Sequence, residues 1–282
     1  MAMLRAGEVD VAQLPLSTYA QLKDDRNIKI LWAKFVSAPA LGFADLAFPN
    51  EPSPFHDIRV RRAVSYAINR KAICERILHG AAEPWGDIFA SYHVGVNQNI
   101  KPYPYDPEKA KALLKEAGYP NGFETTVTSG HPAGDKIELQ AIASDLARVG
   151  IRTKFIELEG GIYIRHTAEK KIRGIFRLGS PWWVGISHPG VAMESVFSEK
   201  SIWSYYTTPE MNAEWLKLSE LTDEKDIEVQ AKKVSRLWHE SEIKYMLWAN
   251  HQPFGVSARV KTYTPVPGVM QITALEYLDL KE

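Results

Sequence analysis

Cysteine is almost absent from this sequence: Cys74 is the only one among 282 residues. A single cysteine excludes a disulfide within the chain, and it excludes a zinc site built from several cysteines. It does not decide the cellular compartment, because large periplasmic proteins often fold without disulfides.

An excess of charge is also missing, because 34 Lys and Arg side chains balance 34 Asp and Glu side chains. Without a net charge there is no long-range attraction to phosphates or anionic lipids, so neither nucleic acid nor a membrane surface is an expected partner. The most apolar stretches, 41–48 and 245–249, are short or contain a charge, Asp45. A membrane-spanning helix needs about 20 apolar residues.

Catalytic and metal-binding motifs are missing too. His239-Glu240 begins a zinc-protease pattern, but Ile243 stands where the second histidine belongs. Residues 185–189 have a proline in place of the second glycine of a nucleophile elbow. Glu157 and Glu159 are predicted to be solvated charges. The sequence therefore predicts no metal, no cofactor and no catalytic residue.

The N-terminus lacks the apolar core of a signal peptide. Residues 1–6 instead indicate the end of a helix, which Gly7 stops, and a short strand follows from Glu8. A natural domain rarely opens on the last turn of a helix. We therefore expect that either the gene model starts too late or the chain is cut from a longer protein.

The remaining composition, 45% apolar and 24% charged, is typical of a folded globular protein of one large or two ordinary domains. Strands and helices alternate over 123–178, which predicts a partly parallel sheet covered by helices. The predicted segments are strands 28–35, 41–48, 123–128, 151–158, 174–178 and 243–248, and helices 58–68, 70–79, 107–117, 135–149, 161–171, 209–221 and 226–240. Prolines between residues 49 and 54 mark a linker, and 252–255 is predicted to be a crossing segment.

Aromatic side chains gather in loops rich in glycine, proline and serine. Trp182 and Trp183 follow a strand that should be central, and Trp85 and Trp203 lie in similar loops. Ligands of open α/β sheets bind at the carboxyl ends of the strands, in clefts lined by aromatic groups. Each ring alone could instead be structural, capping a core beneath a long loop.

Three stretches resemble the family 5 extracellular solute-binding proteins, which are the dipeptide, oligopeptide and nickel receptors of ABC importers. They are AGEVDVA at 6–12, FHDIRVRRAVSYAINR at 55–70 and YDPEKAKALLKEAGYPNGF at 105–123. The resemblance implies the type II periplasmic binding protein fold: a C-terminal lobe with a mixed sheet covered by helices, plus remnants of a first lobe. It assigns residues 1–50 to part of the first lobe, 51–251 to the ligand-binding lobe and 252–282 to the return into the first lobe.

The family also implies a function without catalysis. Two lobes close on a solute by a hinge motion, and the closed form docks on an ABC permease in the inner membrane. We accordingly expect a periplasmic, monomeric, non-enzymatic protein that lacks the signal peptide and most of the N-terminal lobe. Its partners are then a small solute, peptide-like or another organic compound, and the permease.

The predicted ligand site centres on the loop 179–189. Peptide-binding members of the family carry an acidic residue here that pairs with the peptide amine, but Ile186 takes that position and no Asp or Glu occurs between Glu169 and Glu194. A free peptide amine is therefore a doubtful ligand. The predicted ligand-facing residues are Trp182, Trp183, Gly185, Ile186, Ser187 and His188, with Trp85, His131 and Trp203 from neighbouring loops.

Two alternatives remain. A carbohydrate-active enzyme or oligosaccharide-binding module would also use an aromatic cleft, and the enzyme would need two carboxylates about 5–10 Å apart. A signalling input module would be a binding lobe fused to a membrane receptor.

Overall fold

Strand pairing among the described residues forms two main sheets and one small one. The computed structural model describes residues 2–130, 136–178, 188–269, 275 and 278–280. Its strands are β1 (Val11–Gln13), β2 (Ile28–Ser37), β3 (Ala40–Phe43), β4 (Ala82–Pro84), β5 (Phe123–Ser129), β6 (Ile151–Glu157), β7 (Ile175–Leu178), β8 (Lys244–Met246), β9 (Trp248–Ser257), β10 (Val260–Thr262) and β11 (Asp279–Leu280).

The five-stranded sheet has the order β6-β5-β7-β3-β8. β5 is parallel to both β6 and β7, whereas β3 is antiparallel to β7 and β8. The parallel half follows from the alternation of strands and helices over 123–178, since parallel neighbours need a crossover connection. The predicted mixed sheet is confirmed.

The second sheet is antiparallel. β9 pairs with β2 along one edge and with β1 and β4 along the other. β10 and β11 form a separate antiparallel pair. β9 thus pairs with three strands that come much earlier in the chain.

Helices surround these sheets. They are α1 (Ala2–Arg5), α2 (Leu16–Leu22), α3 (Ile58–Ala67), α4 (Arg70–Ala72), α5 (Pro107–Glu116), α6 (Lys136–Arg148), α7 (Gly160–Ala168), α8 (Pro189–Ala192), α9 (Glu194–Phe197), α10 (Pro209–Glu220) and α11 (Glu224–Ser241). A π-helical segment, Ile73–Ile77, continues α4.

Short polar side chains set the start of three helices. The side chains of Asp57, Asn69 and Asp106 each accept a hydrogen bond from a main-chain N–H in the first turn of α3, α4 and α5. Such caps satisfy N–H groups that have no partner within the helix.

The two faces of the five-stranded sheet bury separate cores. Ile175 and Tyr245 face the larger core, which the apolar faces of α3, α5, α6, α10 and α11 complete. Phe176 and Met246, their neighbours along the strands, belong to the smaller core on the opposite face. Successive side chains of a β-strand point to opposite faces of the sheet, which explains why neighbours belong to different cores.

The predicted strand 41–48 is wrong beyond Phe43, because Ala44–Ala47 is a 3-10 turn. Asp45 explains the difference: its Oδ1 accepts a bond from the Gly174 N–H at 2.8 Å, and its Oδ2 accepts one from the Ser53 hydroxyl at 2.6 Å. Residues 252–255, where the sequence predicts a crossing segment, lie inside β9.

Candidate functional site

The carboxyl ends of three parallel strands meet at one edge of the five-stranded sheet. Ser129 of β5 pairs with Glu157 of β6, and Thr128 pairs with Phe176 of β7. The segments that follow these strands therefore start side by side, which is the position where open α/β sheets bind ligands.

Both passages between the two main sheets lie at this same edge. Ala40, which opens β3, pairs with Leu178 on one side and with Met246 on the other. β2 therefore enters the sheet here, and β8 leaves it here for β9. The Leu247 N–H donates to the Pro39 carbonyl at 2.9 Å, so the two passages are hydrogen-bonded to each other.

Aromatic rings gather on the smaller core beside these passages. Phe35 and Trp85 meet edge to face with centroids 5.0 Å apart, and Tyr163 lies 6.1 Å from Trp203. Phe35 and Tyr163 are buried, whereas Trp85, Tyr92 and Trp203 are only partly buried, so part of this group of rings is accessible. The aromatic cluster, as named below, consists of Phe35, Trp85, Tyr92, Tyr163 and Trp203.

Trp85 is fixed by its own loop. Its indole Nε1 donates to the Phe89 carbonyl at 3.0 Å. Asp87 organises the turn by accepting bonds from the Phe89 N–H and from the buried Ser235 hydroxyl. Burial raises the pKa of Asp87, while these hydrogen bonds act in the opposite direction.

Trp203 is held by two lysines. Lys244, which is buried, donates to the Trp203 carbonyl at 2.8 Å. Lys170 donates to the carbonyls of Ile202 and Ser204 at 2.8 and 3.0 Å. Burial lowers the pKa of Lys244 to about 7, and the Lys170 charge adds to this effect. The loop is thus held by lysine donors from β8 and from the end of α7.

His188 has a role in the fold. Its Nδ1 accepts a bond from the Gly190 N–H at 3.1 Å, which caps α8. Its Nε2, 2.9 Å from the Leu221 carbonyl, must then be the protonated nitrogen and donate. Both ring nitrogens are therefore engaged by main-chain groups, and this arrangement leaves neither nitrogen for a solute.

The structure brings two predicted site residues, Trp85 and Trp203, into one cluster. The other predicted site residues lie outside the described residues, namely His131, Trp182, Trp183, Gly185, Ile186 and Ser187. Phe35 and Tyr163, which reach the cluster from β2 and α7, were not predicted from the sequence. The apolar pattern of α7 gave no signal for Tyr163, because Ile162 and Ile164 on the same helix are exposed.

The described residues contain no group of three or more His, Cys, Asp or Glu side chains that could hold a metal ion. Over the same part of the chain, no helix has the length and apolar character needed to cross a bilayer. An aromatic surface can stack on or enclose a solute.

Comparison with known proteins gives a family match over most of the chain. Residues 1–204 match the family described as bacterial extracellular solute-binding proteins, family 5 Middle. Heme-binding protein A of Haemophilus influenzae is 36% identical over 183 residues, which are 62% of this chain and 32% of that protein. Glutathione-binding protein GsiB of Shigella flexneri is 32% identical over 206 residues, 71% of this chain and 39% of that protein.

Solved structures share the fold of this chain over its whole length. HbpA2 of Haemophilus parasuis superposes with a TM-score of 0.85 at 24% identity, covering 100% of this chain and 55% of that one. DppA of Helicobacter pylori, in complex with the peptide STSA, gives 0.77 at 27% identity, with 100% and 54% covered. The chain spans about a third of the length of the curated relatives and just over half of these solved chains.

Proposed function

Because this chain belongs to family 5 of the bacterial extracellular solute-binding proteins, we propose that it is part of the solute-binding component of an ABC importer. It captures a small solute, peptide-like or another organic compound, in the periplasm. It then delivers the solute to a permease in the inner membrane. It acts as a monomer and carries out no reaction on the solute.

One observation carries the proposal: both passages between the two sheets meet at the edge where the parallel strands end. Two bodies joined by such neighbouring passages can rotate about them, and a solute at this edge would lie next to the hinge. The aromatic cluster supports the same position, since its residues come from both sides of the passages.

The lobe assignment is part of the proposal. The resemblance places residues 1–50 and 252–282 in a first lobe and 51–251 in the ligand-binding lobe. The strand pairing supports earlier boundaries, at 38–39 and 247, because β3 already pairs within the five-stranded sheet and β9 begins at Trp248.

The solute differs from a simple peptide with a free amine. The stretch between Glu169 and Glu194 contains no acid, and burying an ammonium without a partner is unfavourable by several kcal/mol. Aromatic walls suit a neutral or ring-bearing compound or a blocked peptide. The relatives named above are binding proteins by name, so the comparisons give the carbohydrate-active enzyme no support.

A binding screen tests the proposal. The protein is assayed by thermal shift and then by calorimetry against heme, glutathione, the peptide Ser-Thr-Ser-Ala and its N-acetylated form. We expect a saturable response to at least one of these probes, with the acetylated peptide bound at least as well as the free one.

Variants locate the site. Trp203→Ala and Trp85→Ala should each weaken binding of the responding probe about tenfold, because each removes a large ring from the wall. Trp32→Ala is the matched control, since Trp32 of β2 packs on Tyr19 of α2, away from the cluster. Binding that survives both cluster variants but is lost with the control variant would contradict this site.

A further inference from the structure

Phe35 has a backbone conformation that is rare for a bulky side chain. Its φ is +53°, in the left-handed region that favours glycine. Phe35 is buried and lies in β2, shortly before the passage at residues 38–39. Such a conformation persists only where surrounding contacts hold it.

The strand pairing is irregular at this point. Ala33 pairs with Gln252 and Ser37 pairs with Asn250, so residues 34–36 stand opposite His251 alone. Extra residues in one strand bend it and leave main-chain groups without ladder partners. The N–H group of Phe35 therefore needs another acceptor.

His251 supplies that acceptor. The Phe35 N–H donates to His251 Nδ1 at 3.1 Å, in a buried bond between the two strands of the passage. The proton of the neutral ring then lies on Nε2, which is 3.6 Å from Oε1 of Glu83.

Charged groups reach the ring from two neighbouring strands. Burial lowers the pKa of His251, and the charge of Lys34 on β2 lowers it further. Glu83 on β4 acts in the opposite direction. The ring is therefore neutral at pH 7, as the bond to Phe35 requires.

The bulge also sets where the Phe35 ring lies. That ring meets Trp85 at 5.0 Å and Tyr92 at 6.1 Å, both edge to face. A change of the Phe35 backbone would therefore move the wall of the aromatic cluster directly beside the passage.

We infer that His251 is a positioning residue for the proposed binding site, holding the Phe35 bulge and through it the aromatic cluster. Protonation of Nδ1 converts the acceptor into a donor, so the bond to Phe35 is lost in acid. The inference rests on the proposed function only in treating the cluster as the wall of a solute site.

The test follows Trp85 from pH 5 to 8 without any solute. The Trp85 signal is the difference in acrylamide quenching between the protein and its Trp85→Phe variant. We expect the quenching constant of Trp85 to rise at least twofold in a one-proton transition below pH 6.5. In His251→Asn, whose Oδ1 takes the place of Nδ1 and does not titrate, the transition should vanish and the neutral-pH value should persist.

Two further measurements decide the result. His239→Asn is the matched control, because His239 is another histidine whose pKa burial lowers, stacked on Tyr103; it should keep the transition. Nitrogen NMR at pH 7.5 should find the proton of His251 on Nε2. A transition that persists in His251→Asn, or a proton found on Nδ1, would overturn the inference. Neither readout needs a solute, so this failure is distinct from a failed binding screen.

Discussion

Gly130, at the end of β5, lies directly against the ring of Tyr163 on α7. A Cβ at residue 130 would come within 2.0 Å of Tyr163 Cγ. The Tyr163 hydroxyl in turn donates to the Arg177 carbonyl on β7. One tyrosine thus links the segments that follow β5 and β6 with β7, at the edge where we place the solute.

Gly130→Ala should therefore destabilise the protein. The added methyl group forces the Tyr163 ring to move and strains its bond to Arg177, at about 1–3 kcal/mol of unfolding free energy. Urea denaturation measures this loss. Gly160→Ala at the same edge is the control, because its nearest neighbour would be 3.7 Å away. Equal stability of the two variants would show that the Tyr163 ring is free to shift.

His188→Ala should reduce stability by about 1–2 kcal/mol, since it removes a helix cap and a bond to the Leu221 carbonyl. His188→Asn should restore part of this, because asparagine is a good N-cap. Solute affinity should stay within twofold of the wild type in both variants. A tenfold loss of affinity at unchanged stability would instead make His188 a solute contact.

Lys244 should make the stability depend on pH. Its pKa is about 7 in the folded protein and near 10.5 when unfolded, so the unfolded chain binds more protons between these values. The free energy of unfolding therefore rises with pH in this window, by up to about 2 kcal/mol from pH 7 to 9. Lys244→Met should lose this gain, whereas the exposed Lys115→Met should keep it. Urea denaturation of the three proteins at both pH values provides the comparison.

Asp106→Ala should reduce stability by about 1 kcal/mol, because the Lys109 N–H at the start of α5 loses its acceptor. Asp106→Asn keeps an acceptor in place and should lie within a few tenths of a kcal/mol of the wild type. Thermal and urea unfolding measure both variants. An alanine variant as stable as the wild type would mean that water replaces the cap without loss.

Local features of the sequence were sufficient to predict much of this fold. Asp106 followed by Pro107 fixes the start of α5 through contacts within one turn, and Asp57 does the same for α3. The strand 41–48 could not be predicted to its end, because the turn at Asp45 depends on Gly174, which is distant in the sequence. Bonds made across the fold leave no periodic signal along the chain.

Only part of the candidate site could be predicted from the sequence. Trp85 and Trp203 stand out as loop tryptophans, and the structure places both in one cluster. Phe35 and His251 were not predicted as partners, because their bond depends on a two-residue offset in strand register. The residue type of Phe35 gives no sign that its backbone adopts a left-handed conformation.

The pairing of β9 also bears on the order of folding. Val11 pairs with Val256 and Ile28 pairs with Ser257, so β1 and β2 find their partner only near the end of the chain. Closing such long loops is slow, because their entropy is lost before the contacts form. During synthesis, β1 and β2 emerge long before β9. The antiparallel sheet therefore closes only after β9 has been made, and until then these early strands remain open to chaperones or to pairing with other chains.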